Sequence, residues 1–376
     1  MKTCYYKHHM TDENNLKSFE KTEEKPKKRF CLKTCLTVFL ILIVIVFIGS
    51  IVYWQLTKFP KPIIPVAKSY SWGYKGQNYK LNETLYQSIE NYYGKKRKGI
   101  YSGFEESSLS KYLNLPKEDK TISEVTSKIK LEASNKQLTP DQTVDLAIGM
   151  VQALPYDEAR AKTDLTHPRY PYETLFEGKG ICSDKTLLTV AILRQLGYGT
   201  AVFMYEKDQH MAAAVQCTSA DSNYNSGYCI AETTTTGHKI GIIPEIDENS
   251  LQAVQRSEIK TFESNGQGTS SIKKLTDVQI YSKTKGKTYT EVTQTLANEK
   301  EIAELSQYIE TQRAVIEQDV ANLDALENKM NNYKTSGDIQ AYNSLVPRHN
   351  NMASDINQKI REYNVKVNRY NALIKE

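Results

Sequence analysis

"GKGICSDKTLLTVAILRQLGY", Gly178–Tyr198, sets one cysteine at the point where a glycine-bracketed loop turns into a helix. Leu187, Leu188, Ala191, Ile192 and Leu196 follow at helical spacing, and Gly197 supplies the stop. The pattern predicts a buried helix over Cys182–Gln195. A structural cysteine sits among apolar side chains, whereas Cys182 has Gly178, Gly180, Ser183 and Asp184 around it. A thiol attacks as the thiolate, which a helix amino terminus favours. The main-chain N–H groups there point at a developing oxyanion. Cys182 therefore reads as a nucleophile.

Upstream, "TPDQTVDLAIGMVQALPYD" (139–157) is a helix: Thr139 or Asp141 caps it, Pro140 fits its first turn, and Pro155 ends it. Downstream, "YGTAVFMY" (198–205), "HMAAAVQC" (210–217) and "YCIAETTT" (228–235) are apolar runs of strand length. The candidate bases for Cys182 are His167, His210, His238 and His349. His349 falls in a long helical pattern and His167 in a proline-bounded loop. His210 opens an apolar strand beside small alanines, which leaves room for a substrate. Glu232 is a carboxylate in an otherwise apolar strand, costly unless paired; between antiparallel neighbours it can orient His210. Cys182, His210, His238 and Glu232 contain no close C-x-x-C or H-x-x-x-H pair, so no metal or other cofactor is expected.

"GKGICSDKTLLTVAILRQLGY", "QHMAAAV" and "YCIAETTTTGHKIGIIP" together resemble the transglutaminase-like superfamily, in particular its archaeal membrane-anchored members. The resemblance covers roughly 140–245, more loosely "SWGYKGQNYKL" upstream. It implies a papain-like Cys-His-acid triad, which maps onto Cys182, His210 and Glu232, with Gln152 the candidate oxyanion donor by analogy with papain-like sites. Many members have Asp where this chain has Glu232, and an acidic residue where it has Ile181. The implied chemistry is attack on an amide to give a thioester, resolved by water (peptidase or amidase) or by an amine (transamidase). The implied substrate is a protein or cell-wall peptide.

The rest of the chain gives this core its setting. No charge occurs between Lys33 and Lys58, and Cys35–Trp54 is long enough to span a bilayer as a helix. "KPKKRFCLK" before it is more densely basic than "TKFPKPIIPVAK" after it, so the amino terminus should be cytoplasmic and Thr57 onward extracytoplasmic. Cys4, Cys31 and Cys35 then belong to the inner side. Cys182, Cys217 and Cys229 lie where disulfides persist, and a Cys217–Cys229 bridge would leave Cys182 free. If His210 lay directly opposite Glu232, Cys217 would face Asn225, and the bridge would need a bend after Val215 or a bulge.

From about Asn298, Ile302, Ile309, Ile316, Leu323 and Met330 recur every seventh residue. After "KTSGD" (334–338), Ala353, Ile356, Ile360, Tyr363, Val367, Tyr370 and Ile374 alternate threes and fours. This predicts an antiparallel coiled-coil hairpin, a candidate oligomer interface, with Pro347 kinking or starting its second arm. The net charge of +5 is spread along the chain, with no basic stripe for nucleic acid.

The fold class expected is α+β: a cysteine-bearing helix on an antiparallel sheet, an N-terminal transmembrane helix and a C-terminal hairpin. The segments are a cytoplasmic basic tail (1–34), the span (35–56), an extracytoplasmic N-terminal region (57–139), the core (140–245), a linker with a lysine–glycine hairpin (246–295) and the helical pair (296–376). The function expected is that of a single-pass, membrane-anchored extracytoplasmic thiol enzyme. The alternative is a non-catalytic surface scaffold or envelope-assembly protein.

Overall fold

The computed structural model describes residues 28–98, 105–164, 167–254 and 272–374, with the side chains of 28–35 and 51–57 outside that description. The chain divides into two units, Met1–Lys58 and Phe59–Glu376. In the first, helix α1 (Lys28–Thr57) carries the apolar run. Among the described residues, no helix is long and apolar enough to cross a membrane. In α1 the described side chains are 36–50, all exposed. The side chains of the basic tail, of Cys4, Cys31 and Cys35, and of 51–56 lie outside the described residues.

The second unit begins with a hairpin, β1 (Pro65–Tyr74) and β2 (Gln77–Tyr86), closed by Lys75 and Gly76, both at positive φ. The spacing of Leu85 and Ile89 suggests a helix from Asn82. Instead, the alternation Leu81, Glu83, Leu85 buries one face of β2, and helix α2 (Gln87–Lys98) starts after it. Three helices follow: α3 (Glu106–Leu113), α4 (Thr121–Asn135) and α5 (Pro140–Gln152). A reciprocal capping box starts α5, with Gln142 N donating to Thr139 Oγ1 (3.1 Å) and Thr139 N to Gln142 Oε1 (3.2 Å). The short helices α6 (Glu158–Ala161) and α7 (Pro171–Glu177) lead to α8 (Cys182–Leu196).

The principal sheet pairs β3 (Thr200–Tyr205) with β4 (His210–Gln216), and β4 with β5 (Tyr228–Ala231), all antiparallel. Three short strands, β6 (Glu245–Asp247), β7 (Gln252–Val254) and β8 (Ile272–Lys274), form a separate sheet. Strand β9 (Gln279–Tyr281) then joins the outer edge of β3. The expected lysine–glycine hairpin is thus not made: β9 pairs with β3, and the stretch after it bridges Tyr198 and Cys217 through Lys287 and Tyr289. The sheet therefore draws on residues past 245.

Strand alternation divides this sheet between two cores. Val202, Met204, Met211, Ala213, Val215, Cys229 and Ala231 pack with α8, while Ala201, Phe203, Ala212, Ala214 and Ile230 form the cluster on the other face. Leu187, Leu188, Val190 and Leu193 of α8 are fully buried. At about 1.5–3 kcal/mol per large apolar side chain, this burial outweighs the helix's weak amphipathicity.

The chain ends in two long helices, α9 (Val292–Ser336) and α10 (Ile339–Leu373). Gly337 closes α9 at φ 77°, and Asp338 caps α10 by accepting from Ala341 N at 2.9 Å. The pairs Glu301–Arg369, Asp319–Lys359 and Glu327–His349 fix an antiparallel arrangement. Of the two expectations for Pro347, the start is not met: the Asp338 cap starts α10 eight residues earlier, and Pro347 lies inside the helix. Its last seam position is Leu373, with Ile374 exposed.

Candidate active site

The turn before Cys182 is built by close approach. Gly178 ends α7 at φ 70°. A Cβ on Gly180 would lie 2.8 Å from Asp184 Cβ and 3.2 Å from Thr174 Cγ2, so only glycine fits. Gly180 N donates to Pro155 O (3.1 Å) and Asp157 N to Gly180 O (3.2 Å), which zips the segment after α5 to the turn and brings Tyr156 beside Cys182.

Buried charge holds the turn. Asp184, fully buried, accepts from Ile181 N (3.1 Å), Arg169 N (2.6 Å) and the Arg160 guanidinium. Asp157 accepts from Arg169 Nη1 (2.9 Å) and Lys179 Nζ (3.1 Å). Burial pushes the Asp157 pKa up, but these two cations win and it lies below the ordinary value. Arg160 also donates to His167 O, while His167 Nδ1 lies 3.2 Å from Asp164 Oδ1. His167 belongs to this network.

Cys182 opens α8, His210 opens β4, and Glu232 follows β5. Their exposures are 4%, 1% and 0%. His210 Nε2 lies 2.7 Å from Glu232 Oε2. Glu232 Oε1 accepts from Thr233 N (2.8 Å), Thr234 N (2.6 Å) and Thr234 Oγ1 (2.7 Å), so both carboxylate oxygens are engaged. With Nε2 taken, Nδ1 is the nitrogen left for the thiol. It has no partner at full hydrogen-bond geometry, yet Cys182 lies within interaction range of the ring. Cys182 Sγ donates weakly to Gln209 O at 3.9 Å.

Burial works against a charged His210, but the Glu232 carboxylate and the neighbouring Cys182 outweigh it and raise the pKa to about 10. Burial likewise works against a charged Glu232, and His210 holds it down at about 2. The two side chains form a hydrogen-bonded pair sealed from solvent.

The register corrects one expectation. Ala213 faces Ala231 and Val215 faces Cys229, and Cys217 N donates to Gly227 O at 3.1 Å. Continuing that ladder sets Glu232 across from Ala212, so His210 meets it diagonally on the same face. The same offset brings Cys217 and Cys229 together diagonally on the α8 side, with Cα atoms 5.8 Å apart and the sulfurs bonded at 2.01 Å. Neither a bend nor a bulge is required. Among the described cysteines, Cys182 is the free one.

Gln152, the candidate oxyanion donor, spends its side chain on the loop after β5. Its Nε2 donates to Glu232 O (2.8 Å) and His238 O (2.9 Å), and its Oε1 accepts from Gly237 N (3.0 Å). Both amide hydrogens are committed to the loop. A polar group near the thiol that sequence reasoning missed is Tyr156. Its hydroxyl is buried beside Cys182; burial, then the charge of Cys182, raises its pKa, against the Cys182 main-chain N–H, which lowers it. Lys185, fully buried in α8, was also missed. The periodicity of the helix offers no signal for either. Burial lowers the Lys185 pKa to about 8, against the pull of Glu232.

His238 borders a cleft of about 660 Å³ at the base of the helical pair, which Tyr74, Asp145, Gln152, Glu299 and Leu373 also line. Cys182, His210 and Glu232 do not line it. His349 is on α10, paired with Glu327 at 2.8 Å. Among the described residues, no group of three His, Cys, Asp or Glu is placed to hold a metal ion.

A family model described as a transglutaminase-like domain matches residues 109–224. The match runs from α3 to just beyond β4; it includes Cys182 and His210 and stops before Glu232. Over that stretch the chain is similar to that family. No curated protein matches the chain significantly.

Proposed function

We propose that this chain is a thiol enzyme acting on amide or peptide bonds, with Cys182 as nucleophile, His210 as proton carrier and Glu232 as its orienting anion. The observation that carries the reading is the buried 2.7 Å His210–Glu232 pair beside a free cysteine at a helix start. The Cys182 thiolate attacks the carbonyl carbon and a C–S bond forms. The main-chain N–H of Cys182 is the proposed oxyanion donor. The His210 imidazolium gives its proton to the departing amine as the C–N bond breaks, leaving a thioester. Water completes hydrolysis; an amine completes transamidation, the acyl donor being a glutamine side chain. The substrate is a protein or cell-wall peptide.

The test is interception: purified chain, a mixed peptide substrate and hydroxylamine should yield hydroxamates. Cys182→Ala should yield none. Hydroxamate formed equally by that variant would remove the enzyme assignment.

The localisation proposed is a single-pass anchor through residues 35–56, amino terminus cytoplasmic and site extracytoplasmic. It is supported by the uncharged run and the denser basic flank before it. Protease added to intact cells should digest the chain beyond Thr57 and spare the tail; the reverse pattern contradicts it. The helical pair is then proposed as the surface for self-association.

One observation favours a second reading. At 4% exposure the thiol is closed to substrate in this conformation. A surface scaffold that uses this fold without turnover would keep it so, and would show no Cys182-dependent hydroxamate.

A further inference from the structure

Helix α8 and the loop carrying Glu232 are linked across the end of α5 by two side chains, Lys185 and Gln152. Gln152, the last residue of α5, is 6% exposed and spends its whole amide on the 232–238 loop: two donors to Glu232 O and His238 O, one acceptor for Gly237 N. Its own main-chain oxygen accepts from Lys185 Nζ at 3.2 Å, and Leu154 O takes the same ammonium at 2.7 Å. Lys185 stands three residues after Cys182, about one turn along α8. The last carbonyls of a helix lack intrahelical partners and form the negative end of its dipole, so the end of α5 suits a buried ammonium.

We infer that Lys185 and Gln152 are positioning residues, a clamp that sets the Glu232 loop at a fixed distance from the helix bearing Cys182. The inference rests on the proposed triad. The links close a ring: Cys182, Lys185, the end of α5, Gln152, the Glu232 main chain, the Glu232 carboxylate, His210 and back to the thiol. Glu232 is pinned at both ends, its carbonyl by Gln152 and its carboxylate by His210 and the two threonines. Releasing the carbonyl frees the carboxylate to drift from the imidazole. Glutamine suits the position because its side chain offers two donors and an acceptor at once. Glutamate would set a carboxylate against two carbonyls, and methionine would leave all three loop groups unsatisfied.

The clamp predicts coupling to Glu232, which general loosening does not. The measurement is the second-order rate of iodoacetamide on Cys182 in the full-length chain, read from the Cys182 peptide by mass spectrometry between about pH 5 and 9. The chains compared are wild type, His210→Ala, Glu232→Gln, Gln152→Met and the double variant. Gln152→Met should slow labelling near pH 6 by roughly ten- to hundredfold, the scale of a displacement of about 1 Å at a reacting group. Its pH profile should approach that of Glu232→Gln, and adding it to Glu232→Gln should change little further. If Gln152→Met does not fold, Gln152→Asn keeps the amide and loses reach; it should shift the profile the same way, less far. A wild-type profile in the Gln152 variant, or an equal loss in both backgrounds, overturns the clamp alone, provided wild type labels faster than His210→Ala. Wild type and His210→Ala labelling alike overturns the triad and the clamp's role with it.

Discussion

Helices α8 and α9 differ in what surrounds them. Nearly every side chain of α8 from Cys182 to Leu193 is buried, charged ones included. In α9, three times as long, the buried side chains are Val292, Leu305, Leu326 and Met330. The first helix is held by walls on all sides, so its turn can carry an internal ion network and a sealed His–Glu pair. The second is held along one seam, with polar pairs such as Asp319–Lys359 bridging to α10. Enclosure fixes geometry to a fraction of an ångström and tolerates little change. A seam fixes register and tolerates much.

Asp184→Asn strikes the enclosed region hardest. It leaves Arg160 buried with its main partner gone, and breaking one side of a buried ion pair costs about 3–5 kcal/mol. The melting temperature of the 59–376 unit should fall steeply and Cys182 should become unspecifically reactive; an unchanged melting temperature would show that the network is not structural. Leu326→Ala probes the seam. It should cost about 2–3 kcal/mol, the low end for a buried leucine. Proteolysis within α9 and α10 should quicken while Cys182 labelling stays as in wild type; a parallel loss of labelling would show that the two regions are not independent.

The His210–Glu232 pair makes a subtler, pH-dependent contribution. A raised His210 pKa stabilises fully below its ordinary 6.5, and that stabilisation is lost as pH rises through about 10. A lowered Glu232 pKa stabilises fully above its ordinary 4.5, and that stabilisation is lost as pH falls through about 2. The stability gap between wild type and Glu232→Gln should therefore be widest between about pH 4.5 and 6.5 and narrow on both sides. Denaturant titrations across pH measure it; a gap independent of pH would mean the pair is not charged as described. The smallest effect belongs to Lys359→Met in the exposed seam, which should shift hairpin proteolysis slightly and the core melting temperature not at all.

What was legible in the sequence follows the same division. The buried stripe of α8, the apolar strands and the heptads of α9 and α10 are periodic, and period reports burial directly. Cys182, His210 and Glu232 stood out because each is a reactive or charged group in a setting that does not dilute it. The clamp did not stand out: Gln152 and Lys185 act through main-chain atoms of residues far along the chain, which no spacing rule encodes. Register was also out of reach, because the two-residue offset that makes both the His210–Glu232 contact and the Cys217–Cys229 bridge depends on how β4 and β5 slide. The β9 edge was misread because its partner, β3, lies about 80 residues earlier and its own run is short.

The central claim is that Cys182 and His210 act as one unit, and the most direct measurement is the rate of iodoacetamide on Cys182 at about pH 6 in wild type and in His210→Ala. An imidazole that takes the thiol proton supplies the attacking thiolate, so wild type should label at least about tenfold faster. Equal rates, with the Cys217–Cys229 bridge intact in both, would contradict the account.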